Sequence, residues 1–200
     1  MVQINPKIIK SKAITFDEYL SEISDERKLN WEKGIETVNN YQLSDKMLDF
    51  LKLPSIPLNV IIFSKEWCPE CISAVAILKK FSRINESIRL QIIDRDECPE
   101  LYSLYMPNDD ERVPVVLFTS EDYYLVTMWI ERPAIKFMLS HEIMTEMRDQ
   151  GKDVIYEKFV EVFTANEKML LQATVEELFS ELARTIGALN YSTRLETALK

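Results

Sequence analysis

Residues 58–71 read Leu58-Asn59-Val60-Ile61-Ile62-Phe63-Ser64-Lys65-Glu66-Trp67-Cys68-Pro69-Glu70-Cys71. Leu58 to Ser64 is short, nearly all apolar and rich in β-branched residues, the composition of a strand buried on both faces. Behind it, Cys71, Val75, Leu78 and Phe81 recur at helical spacing. The two periods meet at Cys68, which falls at an N-cap, with Pro69 at the first helical position, where a missing N–H is no loss. Cys71 then lies one turn inside the helix. The first thiol is placed against unpaired amides at the positive end of the helix, which favours the thiolate, the nucleophile of exchange chemistry. Cys71 is within reach to resolve a mixed disulfide. Trp67 is expected to shield the pair while leaving the first sulfur accessible.

Downstream, Ile88 to Ile93 reads as a second strand, parallel to the first because a helix connects them. Pro99 to Tyr105 suits a short helix. Val113-Pro114-Val115-Val116-Leu117-Phe118 and Tyr123 to Ile130 suit a hairpin turning near Ser120, Glu121 and Asp122. A proline at the start of an apolar strand marks an edge or special geometry. Pro133 opens a helix through Ile135, Leu139, Ile143 and Met147, with Gly151 as its stop. Val154 to Phe163 and Thr174 to Leu189 suit two more helices, and Thr174 with Glu177 has the form of a capping box. Upstream, Thr15 with Glu18 has the same form ahead of Tyr19, Leu20 and Ile23. Further helices are expected through Trp31, Ile35 and Val38, and from Ser44 through Leu51, ending at Pro54 and Pro57. The expected division is a helical segment over 1–56 packed on the core, an α/β domain over 57–150, and a helical extension over 151–200.

The 200 residues carry 46% apolar residues, enough for a sizeable core, and a net charge of −9 that repels nucleic acid and anionic membrane. No continuous apolar run follows the early lysines, so a cytoplasmic protein is expected. Three cysteines do not make a disulfide scaffold in a chain this long. A zinc site needs more soft ligands, and outside the pair only Cys98 and the single histidine, His141, remain, so no metal is expected. Cys98, before Pro99, reads as an ordinary unpaired cysteine with a secondary redox role as the alternative. Asp94, Asp96 and Glu97 read as a solvated turn.

Trp67-Cys68-Pro69-Glu70-Cys71, followed some forty residues later by Val113-Pro114, resembles the thioredoxin superfamily over roughly Pro57 to Gln150. The resemblance implies an α/β thioredoxin-like fold, a central mixed sheet flanked by helices with additional N- and C-terminal helices. It implies Cys68 as nucleophile, Cys71 as resolving thiol, and Pro114 as a cis-proline facing them. Backbone beside that proline would pair with an extended substrate, and its ring would keep metal from the thiols. Thr15-Phe16-Asp17-Glu18-Tyr19 and Trp129-Ile130-Glu131-Arg132-Pro133 resemble a branch of bacterial thioredoxin-like proteins with extra terminal helices, some of which lack one or both cysteines. Two departures stand out. Ile62 occupies the position of a buried Asp in thioredoxins, and Pro69-Glu70 replaces Gly-Pro between the cysteines. Glutathione use is disfavoured by the acidic run Asp109-Asp110-Glu111, which Arg112 would offset in part.

The expected function is protein disulfide reduction without a cofactor, with protein disulfides as substrates and a reductase as electron donor. Trp67, Pro69 and Glu70 surround the thiols, and Val113 and Pro114 bind substrate. The alternative is a non-enzymatic adaptor that holds a partner in the same groove. The terminal helices would cover the domain or pair two copies into a homodimer.

Overall fold

A computed structural model describes residues 2–106 and 110–192. Four helices precede its first strand: α1 (Pro6–Lys12), α2 (Phe16–Glu22), α3 (Asp25–Asn40) and α4 (Asp45–Leu51). Thr15 and Glu18 close the expected capping box on α2, each side chain bonded to the other residue's amide. Ser44 caps α4 as its sequence suggests. The first helix was not anticipated, although its signal is present: the Asn5 side chain accepts from the Lys7 amide, and Pro6 occupies the first turn.

β1 (Leu58–Ser64) is buried at every residue. α5 (Pro69–Ile84) crosses over to β2 (Ile88–Asp94), which runs parallel to β1 with Leu58 opposite Ile88 and Ser64 opposite Asp94. A 3₁₀ turn (Arg95–Glu97) and α6 (Pro99–Ser103) lead to the antiparallel hairpin β3 (Val115–Ser120) and β4 (Leu125–Ile130). The sheet order is β2–β1–β3–β4, a mixed sheet flanked by helices. Alternate residues Ile61 and Phe63 of β1, with Val115 and Leu117 of β3, form one apolar cluster with Ile9 of α1 and Leu101 and Tyr102 of α6. Val2 to Ile14 also guards the sheet. Ile14 pairs with Ile92 on the outer side of β2, and Gln3 pairs with Tyr124 at the start of the β4 region.

The chain divides into two compact units, Met1–Glu131 with Leu178–Lys200, and Arg132–Glu177. The second holds α7 (Ala134–Glu146), α8 (Lys152–Ala165) and the first part of α9 (Glu167–Asn190). Two expectations fail here. α7 ends at Glu146 with Met147 as its C-cap, and Gly151 is instead the N-cap of α8 at φ −67, an extended conformation that needs no glycine. Thr174 does not start a helix either, because α9 begins seven residues earlier. Its hydroxyl bonds back to the Leu170 carbonyl, and Glu177 accepts from the Ala134 amide. Beyond Leu178, Phe179 packs edge-on against Phe50 and Phe81.

α3 lies tightly against α5. A β-carbon added to Gly34 would stand 2.3 Å from Cγ2 of Ile72, a branch fixed directly on the helix. Gly34→Ala should therefore lose about 1–3 kcal/mol to overpacking, outweighing the roughly 1 kcal/mol gained in helix propensity. Adding Ile72→Leu, which removes that methyl, should recover most of the loss. Denaturant unfolding of both variants checks this, and a stabilised Gly34→Ala would refute the close approach.

Candidate active site

Cys68 is the N-cap of α5, Pro69 opens the helix and Cys71 sits in its first turn, where the sequence placed them. All three cysteines are free thiols. Cys71 is fully buried. Its sulfur accepts from the Lys65 amide at 3.4 Å. Burial foremost, then the neighbouring Cys68, pushes the Cys71 thiol well above its ordinary range, while the Lys65 amide and the Ser64 hydroxyl work the other way. Cys68 is not the accessible sulfur expected, since only 4% of the residue is exposed. Its S–H is directed to the Val113 carbonyl at 3.4 Å and the Glu70 carboxylate at 3.6 Å, so the loop before β3 covers it. Trp67 stands half exposed beside it.

The Val113–Pro114 peptide is cis. Pro114 precedes β3, which lies between β1 and β4, so the proline marks special geometry and not a sheet edge. Its carbonyl accepts from the Glu131 amide at 2.7 Å. Arg112 bonds the buried carboxylate of Glu131 at 2.5 Å and pairs with Asp110 at 2.6 Å, and the Tyr102 hydroxyl donates to the Arg112 carbonyl. Arg112 thus offsets Asp110, while Glu111 pairs with Arg95 and Asp109 lies outside the described residues. Glu131 holds φ 63, a left-handed conformation at the end of β4.

Several residues that shape the site carried no chemical signal in the sequence. Tyr19 of α2 is buried and its hydroxyl meets that of Ser64 at 2.9 Å. The Trp31 indole of α3 donates to the Glu66 carbonyl at 2.8 Å, and the Glu66 carboxylate receives the amide and hydroxyl of Ser24, the N-cap of α3. Lys65 bonds Asp94 and Asp96. Burial opposes its charge, but these partners hold the ammonium above its ordinary pKa. Asp94 and Asp96 are therefore ion-paired, not merely solvated, and Glu97 pairs with Lys12. Of the residues that support the site, Tyr19 and, on the proline side, Glu131 lay within recognised motifs. Cys98 is buried at the N-cap of α6, and His141 lies on α7 of the second unit. Among the described residues no group of three or more His, Cys, Asp or Glu side chains could hold a metal ion, and no helix is long and apolar enough to cross a membrane.

A mixed sheet with a Cys-x-x-Cys pair at the start of a crossover helix, facing a cis-proline, defines the thioredoxin-fold class. A family model described as thioredoxin matches residues 13–153, and the chain belongs to that family. Among solved structures, a protein of unknown function from Pseudomonas aeruginosa is 14% identical with a TM-score of 0.64, over 90% of this chain and 96% of that one. An HIV epitope scaffold is 15% identical with a TM-score of 0.64, over 88% and 95% of the two chains. Both show the same fold. No curated protein matches the chain.

The raised Cys71 pKa makes the reduced protein sensitive to alkali. The unfolded chain loses this proton near the ordinary value of 9.0, whereas the folded chain retains it to higher pH. Unfolding therefore gains free energy as pH rises past that value, by up to about 1.4 kcal/mol per unit. Tyr19, held above its ordinary value of 10.0, adds a decline of the same sign at higher pH. Urea unfolding of the reduced protein and of Cys71→Ser, compared between about pH 7 and about pH 10, should show the smaller loss in the variant.

Proposed function

We propose that the chain is a thiol–disulfide oxidoreductase, a protein disulfide reductase acting through Cys68 and Cys71. The observation that carries this reading is the placement of the Cys68 sulfur, 3.4 Å from the Val113 carbonyl of a cis Val113–Pro114 dipeptide, with Cys71 fully buried in the same helical turn. Two unreactive core cysteines do not require a helix N-terminus or a proline opposite them. The Cys68 thiolate attacks a substrate disulfide, forming one S–S bond as another breaks, and the first substrate thiol departs. Cys71 then attacks the Cys68 sulfur, closing the Cys68–Cys71 disulfide and releasing the second substrate thiol. Two electrons pass to the substrate, and a reductase returns them to the pair.

Trp67, Pro69 and Glu70 form the rim of this site. Val113 and Pro114 present the backbone against which an extended substrate segment would lie, displacing the contact that now covers Cys68. Proteins with accessible disulfides are the substrates this reading requires, and the cytoplasm, where thiols are kept reduced, is the compartment it suits.

The two cysteines should behave differently when replaced one at a time in a Cys98→Ser background. Cys68→Ser should reduce a model disulfide no faster than background. Cys71→Ser should accumulate mixed disulfides visible on a non-reducing gel and removed by added thiol. Trapping by Cys68→Ser alone would reverse the roles. A wild-type protein that reduces nothing, with neither variant trapping, would replace the reductase with the adaptor.

A further inference from the structure

The carbonyls of Arg112, Val113 and Pro114, three in succession, each have a donor. The Tyr102 hydroxyl donates to Arg112 at 2.5 Å, the Cys68 S–H to Val113 at 3.4 Å, and the Glu131 amide to Pro114 at 2.7 Å. The middle bond is the weak one, since a thiol is a poor donor. Among the described residues the Val113 amide has no hydrogen-bond partner. The stretch is therefore held firmly on either side of Val113 and lightly at Val113 itself.

Glu131 grips it through two groups. Its amide reaches Pro114, and its carboxylate bonds the Arg112 guanidinium at 2.5 Å. Two features of this residue are costly. At φ 63 it adopts a left-handed conformation that few residues other than glycine, Asn and Asp take. Its side chain is 9% exposed, and a carboxylate so buried is tolerated only when it is paired. Backbone strain of this kind persists where the surroundings over-determine it, and it collects at functional sites. Tyr102 is anchored from the other side. It is buried, and its ring meets the edge of Phe63 with centroids 5.6 Å apart. Phe63 belongs to β1, so Tyr102 ties the position of Arg112 to the strand that leads into the cysteines.

We propose that Glu131 and Tyr102 are positioning residues for exchange: by fixing the two residues that flank Val113, they hold its amide and carbonyl beside the Cys68 sulfur for the backbone of an incoming substrate. The proposal deepens the exchange reading and rests on it. Both residues act through the Arg112-Val113-Pro114 stretch. Held in place, the Val113 carbonyl covers Cys68, which is 4% exposed. It also meets a substrate already ordered, which lowers the entropy cost of docking. Loosening the frame therefore has opposite effects on two kinds of reagent. A small electrophile needs only the sulfur and gains access to it. A protein disulfide needs the backbone partners and loses them.

The competing account is that the frame braces the fold and does nothing else. With Cys71 and Cys98 replaced by Ser, the rate at which iodoacetamide alkylates Cys68 is measured at one pH in Glu131→Gln and in Tyr102→Phe, which keeps the ring. Alkylation should be about fivefold faster, the worth of about one hydrogen bond. In a Cys98→Ser background the same substitutions are tested in single turnovers of the reduced protein with excess insulin, counting thiols after an acid quench. The saturating rate divided by the half-saturating insulin concentration should fall about tenfold, chiefly through a higher half-saturating concentration. Arg112→Gln should act as Glu131→Gln does, and combining the two should add little.

Unfolding in urea separates the accounts. A loss of stability with alkylation and insulin reduction both unmoved would overturn the proposal, as would equal slowing of the two reactions. If Glu131→Gln does not unfold cooperatively, Tyr102→Phe decides alone. Faster alkylation in a protein that reduces no insulin disulfide supports the frame and removes the reductase. Insulin reduction with unaltered constants in the folded variants keeps the reductase and removes the frame.

Discussion

The amide of Lys65 and the sulfur of Cys71, 3.4 Å apart, join the end of β1 to the first turn of α5. Six residues separate them in sequence, and the chain between must turn from a fully buried strand into a helix whose first thiol caps it. Pro69 makes that turn compatible with a helix start, since its fixed φ and missing amide suit the first position. Cys68 is left facing the loop before β3, and the Cys68–Val113 contact then joins the two sides of the site. A shift of α5 along its axis would break both sulfur contacts. The close packing of Gly34 against Ile72, the next residue after Cys71, opposes such a shift.

The N-terminal helices belong to this arrangement and are not an appendage to it. α2 reaches the end of β1 through Tyr19 and Ser64, and α3 holds the following loop through Trp31 and Ser24, both bonded to Glu66. Lys80 of α5 returns the favour at the other end, its ammonium donating to the Val38, Asn39 and Tyr41 carbonyls at the C-terminus of α3. Ile14 pairs with Ile92 of β2, Gln3 pairs with Tyr124 just before β4, and the Leu125 amide of β4 donates to the Val2 carbonyl. A sheet of four strands has two vulnerable edges, and the first fourteen residues touch both.

The strands and the cysteine-bearing helix were legible because period and composition carry their signal locally. β1 spans the seven residues that its apolar run suggested, and the capping box of α2 closes as written. The same motif misleads at Thr174 and Glu177, because a capping box is informative only where a helix starts. α9 is already two turns old there, with nothing in the Glu167–Ala173 segment to break it. The support of the site was less legible for a different reason. Ser64, Trp31, Glu66 and Glu131 act through contacts between residues 19 to 45 apart in sequence, and none belongs to a type or spacing that announces its partner.

The two sides of the site are held by different physics. On the cysteine side neutral hydrogen bonds, an amide to Cys71, a phenol to a serine and an indole to a carbonyl, stand beside the ion pairs of Lys65 with Asp94 and Asp96. On the proline side the bonds are ionic. Arg112 is held between Asp110 and the buried carboxylate of Glu131, and Arg95, stacked over the Tyr102 ring at 5.8 Å, pairs with Asp96 and Glu111. Ion pairs with an exposed partner are screened by salt, whereas buried hydrogen bonds are little affected by it. The exchange proposed above needs both: the strand that follows Pro114 would have to yield to an incoming segment, while the buried Cys71 would have to be in place when a mixed disulfide forms.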